Sequence, residues 1–253
     1  MYYCCGITEK GVMPHNEDAL MIGKNVITDG AAEYKLNPPF MCAVSDGVSG
    51  ELSGELASSM CLNLLSSVKY NKKTRLANKL NDIHNQLAKH GSENSETLNM
   101  QATLCGIAID DDNKISIINI GDSRLYRFRG NHVKQISRDQ SLVQLLYEEG
   151  SITHEEKKTH VHRNIIFPVL GNISSKPDID IDVLEEGLRY GDVLLLCTDG
   201  LSDYVPPSDM EEILDMPKSL PKRLEMLVKK ALENGGSDNI SVIAVVYFDE
   251  GLM

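Results

Sequence analysis

Short apolar blocks bounded by Gly, Asn, Asp or Pro occupy both ends of this chain, and longer blocks with helical spacing lie between them. The short blocks have the length and the flanking residues of β-strands. In the longer blocks, apolar residues such as Leu56, Met60 and Leu64 recur every four positions, which predicts amphipathic helices. The pattern predicts strands at residues 2–8, 19–27, 40–45, 102–109, 114–120, 124–128, 133–136, 179–184, 192–197 and 240–248, and helices around residues 56–68, 76–87, 141–158 and 220–232.

The order of these elements indicates the fold class. Four consecutive strands between residues 102 and 136 imply an antiparallel meander, and the strand-helix alternation of a doubly wound parallel sheet is missing. We therefore expect an α+β fold in which two antiparallel β-sheets pack together and helix pairs flank them. Since no Pro-, Gly- or Ser-rich linker interrupts the pattern, residues 1–253 are expected to form a single domain. Residues 160–172 have little pattern, and we interpret them as a surface segment beside a substrate cleft.

Charge and cysteine content narrow the functional classes. With 37 acidic against 25 basic residues, the formal net charge of −12 opposes binding to nucleic acid or to anionic membrane surfaces. The 6 cysteines lie mostly inside apolar runs and form no Cys-x-x-Cys pair, so we expect buried, reduced thiols. The sequence shows no secretion leader and no apolar run of about 20 residues, which predicts a soluble cytoplasmic protein without membrane insertion.

Four acidic segments stand far apart in the sequence, and three of them lie where an apolar run gives way to Gly or polar residues. Strand ends of this kind can direct carboxylates into one cleft, where they repel one another unless divalent cations neutralise them. An isolated Asp-Gly pair is more often a simple turn, so the prediction of a site for more than one metal depends on all four segments together. The segments are Asn16-Glu17-Asp18, Asp46-Gly47-Val48-Ser49-Gly50, Thr198-Asp199-Gly200-Leu201-Ser202-Asp203 and Ser237-Asp238-Asn239.

Further motifs accompany these segments in a fixed order. They extend the set to Asn16-Glu17-Asp18, Asp46-Gly47-x-x-Gly50, Gly121-Asp122-Ser123-Arg124-Leu125-Tyr126-Arg127, Asp139-Gln140-Ser141-Leu142-Val143, Thr198-Asp199-Gly200-Leu201-Ser202-Asp203 and Gly236-Ser237-Asp238-Asn239-Ile240-Ser241. Any one of them alone is weak, but the ordered set spans nearly the whole chain. In this respect the sequence resembles the metal-dependent serine/threonine protein phosphatases of type 2C, in their compact bacterial form.

The resemblance implies a binuclear Mn²⁺ or Mg²⁺ centre in which Asp46 bridges both ions, and a third, weaker ion held by Asp122 with Asp199. Oxygen ligands suit hard divalent cations, and Gly47 lets its own carbonyl approach an ion closely. Asp46, Asp199 and Asp238 would carry the reaction by holding the ions around the attacking water. The remaining implied ligands are Asp199 and Asp238 on one ion and Glu17 with the carbonyl of Gly47 on the other, with Asp18 acting mainly through bound waters.

The implied activity is hydrolysis of phosphoserine or phosphothreonine on proteins by a metal-activated water. The implied partners are phosphorylated protein substrates, and the implied role is to oppose a serine/threonine kinase in bacterial signalling. No covalent phosphoenzyme is required, in keeping with the lack of a Cys-x5-Arg nucleophile loop around any cysteine. An alternative is a phosphoprotein-binding or regulatory module that keeps the fold with weakened catalysis.

Two departures from the family pattern bear on that alternative. Where the family usually places a phosphate-binding arginine, four residues before the first glutamate, this chain has Met13. Candidate replacements are Lys10, His15 and Arg163. In the position of a proposed histidine acid of eukaryotic relatives the chain has Val48, so a bound water or His15 would have to protonate the leaving group.

Overall fold

The computed structural model describes residues 1–48, 52–93, 97 and 100–248, so Ser49 and Gly50 of the second acidic segment lie outside it. The strands are β1 Tyr2–Glu9, β2 Asp18–Ile22, β3 Asn25–Ile27, β4 Gly30–Leu36, β5 Phe40–Asp46, β6 Leu104–Ile109, β7 Ile115–Ile120, β8 Arg124–Arg129, β9 His132–Gln135, β10 Asp180–Val183, β11 Val193–Cys197 and β12 Ile240–Tyr247. The helices are α1 Leu52–Ser66, α2 Leu76–Glu93, α3 Leu142–Glu148, α4 His154–Thr159, α5 Asp199–Ser202, α6 Pro207–Asp215 and α7 Leu220–Glu233.

These strands form two six-stranded sheets, both antiparallel throughout. The first sheet has the order β4-β1-β12-β11-β8-β9, and the second has the order β10-β7-β6-β5-β2-β3. All ten strand pairings are antiparallel. The expected α+β class with two antiparallel sheets is therefore confirmed.

In the central strands of each sheet both faces are buried: neighbouring residues of a strand point to opposite sides, and both sides are covered. In β1, Cys4 packs into the core between the sheets, whereas Cys5 packs with Leu224 and Leu227 of α7. In the second sheet, Ala43 of β5 packs beneath α1 and α2. The result is a helix-sheet-sheet-helix arrangement. All six cysteines are buried and free, as the sequence predicted.

The predicted four-stranded meander between residues 102 and 136 is wrong. Strands β6 and β7 pair in the second sheet, while β8 and β9 pair in the first. The chain changes sheet at Gly121, whose φ of 103° is in the left-handed region. A Cβ at this position would lie 2.8 Å from Cγ2 of Thr103, so a larger residue would be both strained and crowded. This crossing carries Asp122 to the edge where the two sheets meet.

Smaller differences have local causes. The predicted strand at 19–27 is a hairpin that turns at Gly23, with a φ of 64°, and the predicted helix at 141–158 is interrupted at Gly150, with a φ of 74°. Strand β4 was not predicted because its outer positions are exposed and give little apolar signal. Helix α6 was also missed, although its Pro207 start is typical of a helix N-terminus.

No helix among the described residues has both the length and the apolar character needed to cross a membrane.

Candidate metal centre

The first two acidic segments meet at the end of the second sheet. Asp18 of β2 lies directly opposite Asp46 of β5 in the antiparallel register. The N–H of Gly47 donates a hydrogen bond to the carbonyl oxygen of Glu17 at 3.1 Å. The backbone N–H of Asp46 donates to Oγ1 of Thr103 at 3.0 Å, which fixes the end of β5 against the residue that precedes β6. Strand pairing thus gathers Glu17, Asp18, Asp46 and Gly47 at one edge.

The other two segments reach the same place from the first sheet. Asp199 begins the short helix α5 directly after β11, and Asp238 precedes β12, which pairs with β11. The two sheets are joined at this edge by Thr198, whose Oγ1 donates to Oδ2 of Asp18 at 2.7 Å. The same Oγ1 accepts the N–H of Ser241 at 3.0 Å. Thr198 was part of a recognised motif, but its role between the sheets is visible only in three dimensions.

Asn239 organises the loop that precedes Asp18. Its Oδ1 accepts the N–H of Glu17 at 2.8 Å, and its Nδ2 donates to the carbonyl oxygens of Lys10 at 3.1 Å and His15 at 2.8 Å. Asn239 is almost completely buried, so these backbone groups are satisfied away from solvent. The side chain next to Asp238 therefore places Glu17 and the 10–17 loop beside the carboxylates.

Two glycines make the space that Glu17 occupies. A Cβ at Gly47 would overlap the backbone of Gly54 in α1, and a Cβ at Gly54 would lie 2.6 Å from Cδ of Glu17 and 2.8 Å from the carbonyl oxygen of Gly47. The sequence predicts the close approach of the Gly47 carbonyl, whereas the role of Gly54 is visible only in the structure. The sequence clue to this role is a glycine in the first turns of a helix, where glycine lowers stability by about 0.5–1 kcal/mol relative to alanine and therefore needs a compensating reason.

We expect Gly54→Ala to raise the Mn²⁺ concentration needed for half-maximal phosphatase activity by about tenfold or more, because the new methyl group displaces the Glu17 carboxylate. A metal titration with p-nitrophenyl phosphate measures this change. Leu56→Ala, at an exposed position of the same helix, is the matched control and should leave the requirement unchanged. An unaltered metal requirement in Gly54→Ala would contradict a role for Glu17 in metal binding.

The electrostatics of the carboxylates show that they converge. Burial raises the pKa of Asp46 well above its usual value, and the charges of Asp199, Asp18, Asp122 and Asp238 raise it further. Burial likewise raises the pKa of Asp199, with further contributions from Asp122 and Asp238. Like charges disfavour ionisation only when they are close, so segments remote in sequence lie near one another in the fold.

Asp18 and Asp122 also hold protons more tightly than usual. Burial raises the pKa of Asp18 to about 7 against the opposing hydrogen bonds from Thr198 and Ser241. Burial and then the charge of Asp139 raise the pKa of Asp122 to about 6, although Arg124 acts in the opposite direction. At neutral pH, ionising all of these groups together requires positive charge in the cleft.

This donor set fits hard divalent cations. It consists of carboxylates with one backbone carbonyl, the ligands that Mg²⁺ and Mn²⁺ prefer. Within the part of the chain that the structure describes, no three Asp, Glu, His or Cys side chains are grouped closely enough to hold one ion by themselves. Mg²⁺ is commonly bound through one or two carboxylates and keeps several waters. The implied set of Asp46, Asp199 and Asp238 on one ion therefore requires these side chains to move closer together when that ion binds.

A cavity of about 200 Å³ opens beside Asp122 and Asp199. Its lining also includes Arg163 and Asn164, so part of the unpatterned segment 160–172 lies at a cleft beside these carboxylates. Asp203 forms ion pairs with Arg124 at 3.7 Å and with Arg163 at 3.8 Å. These contacts give Asp203 a role in fixing its loop.

The two departures from the family pattern are also located. Met13 is 37% exposed in the 10–17 loop, and its N–H donates to the carbonyl oxygen of Lys10 at 3.0 Å. The loop lies against Asp238, because a Cβ at Gly11 would be 2.8 Å from the carbonyl oxygen of that residue. Of the three candidate replacements for the missing arginine, Arg163 is the one that lines the cavity beside Asp199.

Comparison with known proteins gives a consistent result. A sequence model described as protein phosphatase 2C matches residues 33–234. The serine/threonine phosphatase stp of Listeria welshimeri is 33% identical over 248 aligned residues, covering 94% of this chain and 93% of that protein. The structure of the serine/threonine phosphatase Stp1 from Staphylococcus aureus is 30% identical, with a TM-score of 0.82 over 98% of this chain and 96% of that chain.

The catalytic domain of the phosphatase PstP in complex with 2 manganese ions is also similar. It is 28% identical, with a TM-score of 0.77 over 98% of this chain and 100% of that chain. Its strands and helices therefore match this fold over nearly its full length. The family match, the similarity to relatives over almost the whole chain and the convergence of the acidic motifs show that this chain belongs to the protein phosphatase 2C family.

Proposed function

We propose that the chain removes phosphate from phosphoserine and phosphothreonine in proteins, at the cleft where the acidic segments of both sheets meet. It is a metal-dependent protein phosphatase, as its family and its phosphatase relatives indicate. The observation that carries the site assignment is the meeting of carboxylates from both sheets: Asp18 lies opposite Asp46 and accepts the hydroxyl of Thr198, next to Asp199. Burial and the charges of Asp18, Asp122 and Asp238 raise the pKa values of both Asp46 and Asp199, so ionising the cluster at neutral pH requires bound cations.

The proposed ligands come from both sheets. Asp46 would contribute to holding both ions, which when bound would supply activation of a water and charge to offset that of the phosphate. We assign Mn²⁺ or Mg²⁺ to both positions and a weaker third ion to Asp122 with Asp199. Asp199 and Asp238 are proposed to complete the first ion site. Glu17 and the carbonyl of Gly47 are proposed to complete the second, with Asp18 acting mainly through bound waters.

The remaining residues keep these oxygens in place. Thr198 donates a hydrogen bond to Oδ2 of Asp18 and thereby fixes the orientation of that carboxylate. Asn239 holds the backbone of Glu17, and Gly54 leaves room for its side chain. Arg163 lines the same cavity as Asp199 and lies 3.8 Å from Asp203, so it is a positive charge available there to a substrate phosphate.

Met13→Arg is expected to raise kcat/KM for a phosphopeptide by about tenfold, because a guanidinium on the 10–17 loop adds a charge-assisted contact to the phosphate. Steady-state kinetics on a phosphothreonine peptide measure the effect. Val12→Arg, which adds the same charge to the exposed neighbour, is the control. Equal kinetics for Met13→Arg and the unaltered protein would mean that another group, with Arg163 the first candidate, already binds the phosphate.

The alternative, a phosphoprotein-binding module with weak catalysis, has its main support in Met13. The intact set of carboxylates argues against it, because an empty acidic cluster would be costly to retain. Turnover of p-nitrophenyl phosphate with and without Mn²⁺ separates the two. Activity that requires the metal supports the enzyme, and binding of phosphopeptide without turnover at any metal concentration supports the module.

We further propose that the chain acts as one domain over residues 1–253 in the cytoplasm and opposes a serine/threonine kinase in signalling. The net charge of −12 and the reduced state of the six cysteines support this location and disfavour nucleic acid as a partner. Phosphoproteomics of a strain lacking the gene would reveal the substrates as phosphosites that increase in occupancy.

A further inference from the structure

Helix α4 lies beside the catalytic cavity without an apolar face of its own. It has no buried residue, and Lys157 is its least exposed side chain in an otherwise exposed helix. Residues 154–164, which we call the outer wall, nevertheless border the cavity through side chains that include His154, Lys158 and Arg163. Hydrophobic burial, which holds most surface helices to their proteins, therefore does not account for the position of this one.

The most buried contact of the outer wall is made by Lys157, beside the ring contact of His154 with Tyr147 and the longer ion pair of Arg163 with Asp203. The Lys157 side chain is only 17% exposed, and its Nζ lies 3.1 Å from Oδ2 of Asp139 and 2.5 Å from Oε1 of Gln144. Asp139 is 2% exposed and also accepts Nε and Nη2 of Arg124, at 3.0 and 2.8 Å, and Nε2 of Gln135 at 2.7 Å. Buried, charge-assisted contacts of this kind are stronger and geometrically stricter than surface ion pairs.

The same network reaches the proposed metal centre. Arg124 lies two residues after Asp122, and its Nη1 donates to the carbonyl oxygen of Ser202 at 3.4 Å. Ser202 belongs to the short helix that Asp199 begins. Lys157 is thus linked through Asp139 and Arg124 to the helix that Asp199 begins.

We propose that Lys157 is a positioning residue for the phosphatase reaction, which holds the outer wall against Asp139 at the distance that a bound peptide substrate requires. The inference rests on the proposed function. A small phosphate ester needs only the carboxylate end of the cleft, whereas a phosphopeptide also extends along the cavity between the outer wall and the helix of Asp199. Releasing Lys157 should consequently weaken peptide recognition and leave the chemistry at the centre in place.

The test compares Lys157→Met, which keeps the length of the side chain and removes its charge, with the charge-preserving Lys157→Arg. We expect Lys157→Met to raise KM for a phosphothreonine peptide about tenfold while kcat for p-nitrophenyl phosphate stays within about twofold. Lys157→Arg should recover most of the loss. Lys229→Met, on an exposed ion pair of α7 with Glu233, is the control and should match the unaltered protein.

Hydrogen exchange of residues 154–164 provides a readout that does not depend on activity. We expect faster exchange there in Lys157→Met, and no change in β5 or β11. Equal losses of activity on both substrates would overturn the proposal, as would unchanged hydrogen exchange in the outer wall together with an unchanged KM for the peptide. If Lys157→Met lowers the Tm by more than a few degrees, Lys157→Gln takes its place in the same comparison. If the unaltered protein hydrolyses neither substrate with Mn²⁺, the proposed function fails, while hydrogen exchange still decides whether Lys157 holds the outer wall.

Discussion

Asp199→Asn is expected to reduce Mn²⁺-dependent hydrolysis of p-nitrophenyl phosphate by at least about 10³-fold. The substitution keeps the shape of the side chain but removes a charge that the proposed ions need. The same change should stabilise the metal-free protein, because burial and the charges of Asp122 and Asp238 disfavour the ionised form of Asp199. Loss of activity together with a higher Tm in EDTA is a signature that general misfolding cannot produce.

Asp215→Asn is the matched control for this experiment. Asp215 is exposed at the end of α6, so its replacement should leave both activity and Tm unchanged. Turnover within a few-fold of the unaltered protein in Asp199→Asn would contradict the ligand assignment for Asp199. A fall in activity that accompanies a lower Tm in EDTA would point to a structural role for that carboxylate.

Mn²⁺ is expected to raise the Tm far more at about pH 8 than at about pH 5.5. Asp18, with a pKa of about 7, and Asp46 and Asp199, whose pKa values are also raised, bind protons more tightly when folded than when unfolded. A raised carboxyl pKa contributes stability that is complete below the unfolded value near 3.9 and is lost as pH rises through the folded value. The metal-free protein therefore loses this contribution towards pH 8, and bound cations restore it.

Thermal unfolding in EDTA and in excess Mn²⁺, at both pH values, measures the effect as a difference between the two scans. At a metal concentration about 100 times Kd, linkage gives about 2.7 kcal/mol, or roughly 5–10 °C in Tm for a chain of this size. Taking the difference removes contributions common to both scans. His84, for example, has a pKa lowered by burial and weakens the fold below its unfolded value near 6.5. Equal Mn²⁺ effects at both pH values would contradict convergence of the carboxylates.

The sequence allowed the carboxylates and the two-sheet architecture to be predicted because both depend on local signals. Asp46 and Asp199 follow apolar strands and belong to ordered motifs, and the strand period identified most of the sheet. The roles of Gly54 and Thr198 were missed, since they depend on contacts with Glu17 and Asp18 across elements remote in sequence. The prediction of a four-stranded meander is wrong for a similar reason. Nothing in the local pattern of β7 and β8 shows that the chain passes into the other sheet at Gly121.

The position of β12 has a consequence for how the protein is made. This strand lies between β1 and β11 in the first sheet, and the hydroxyls of Thr8 and Ser241, 233 residues apart, are hydrogen-bonded at 2.7 Å. At ribosomal rates, the nascent chain must wait on the order of 10–50 s after β1 emerges before its partner is synthesised. During that interval β1 has an unsatisfied edge, so productive folding in the cell depends on shielding that edge until synthesis reaches residue 247.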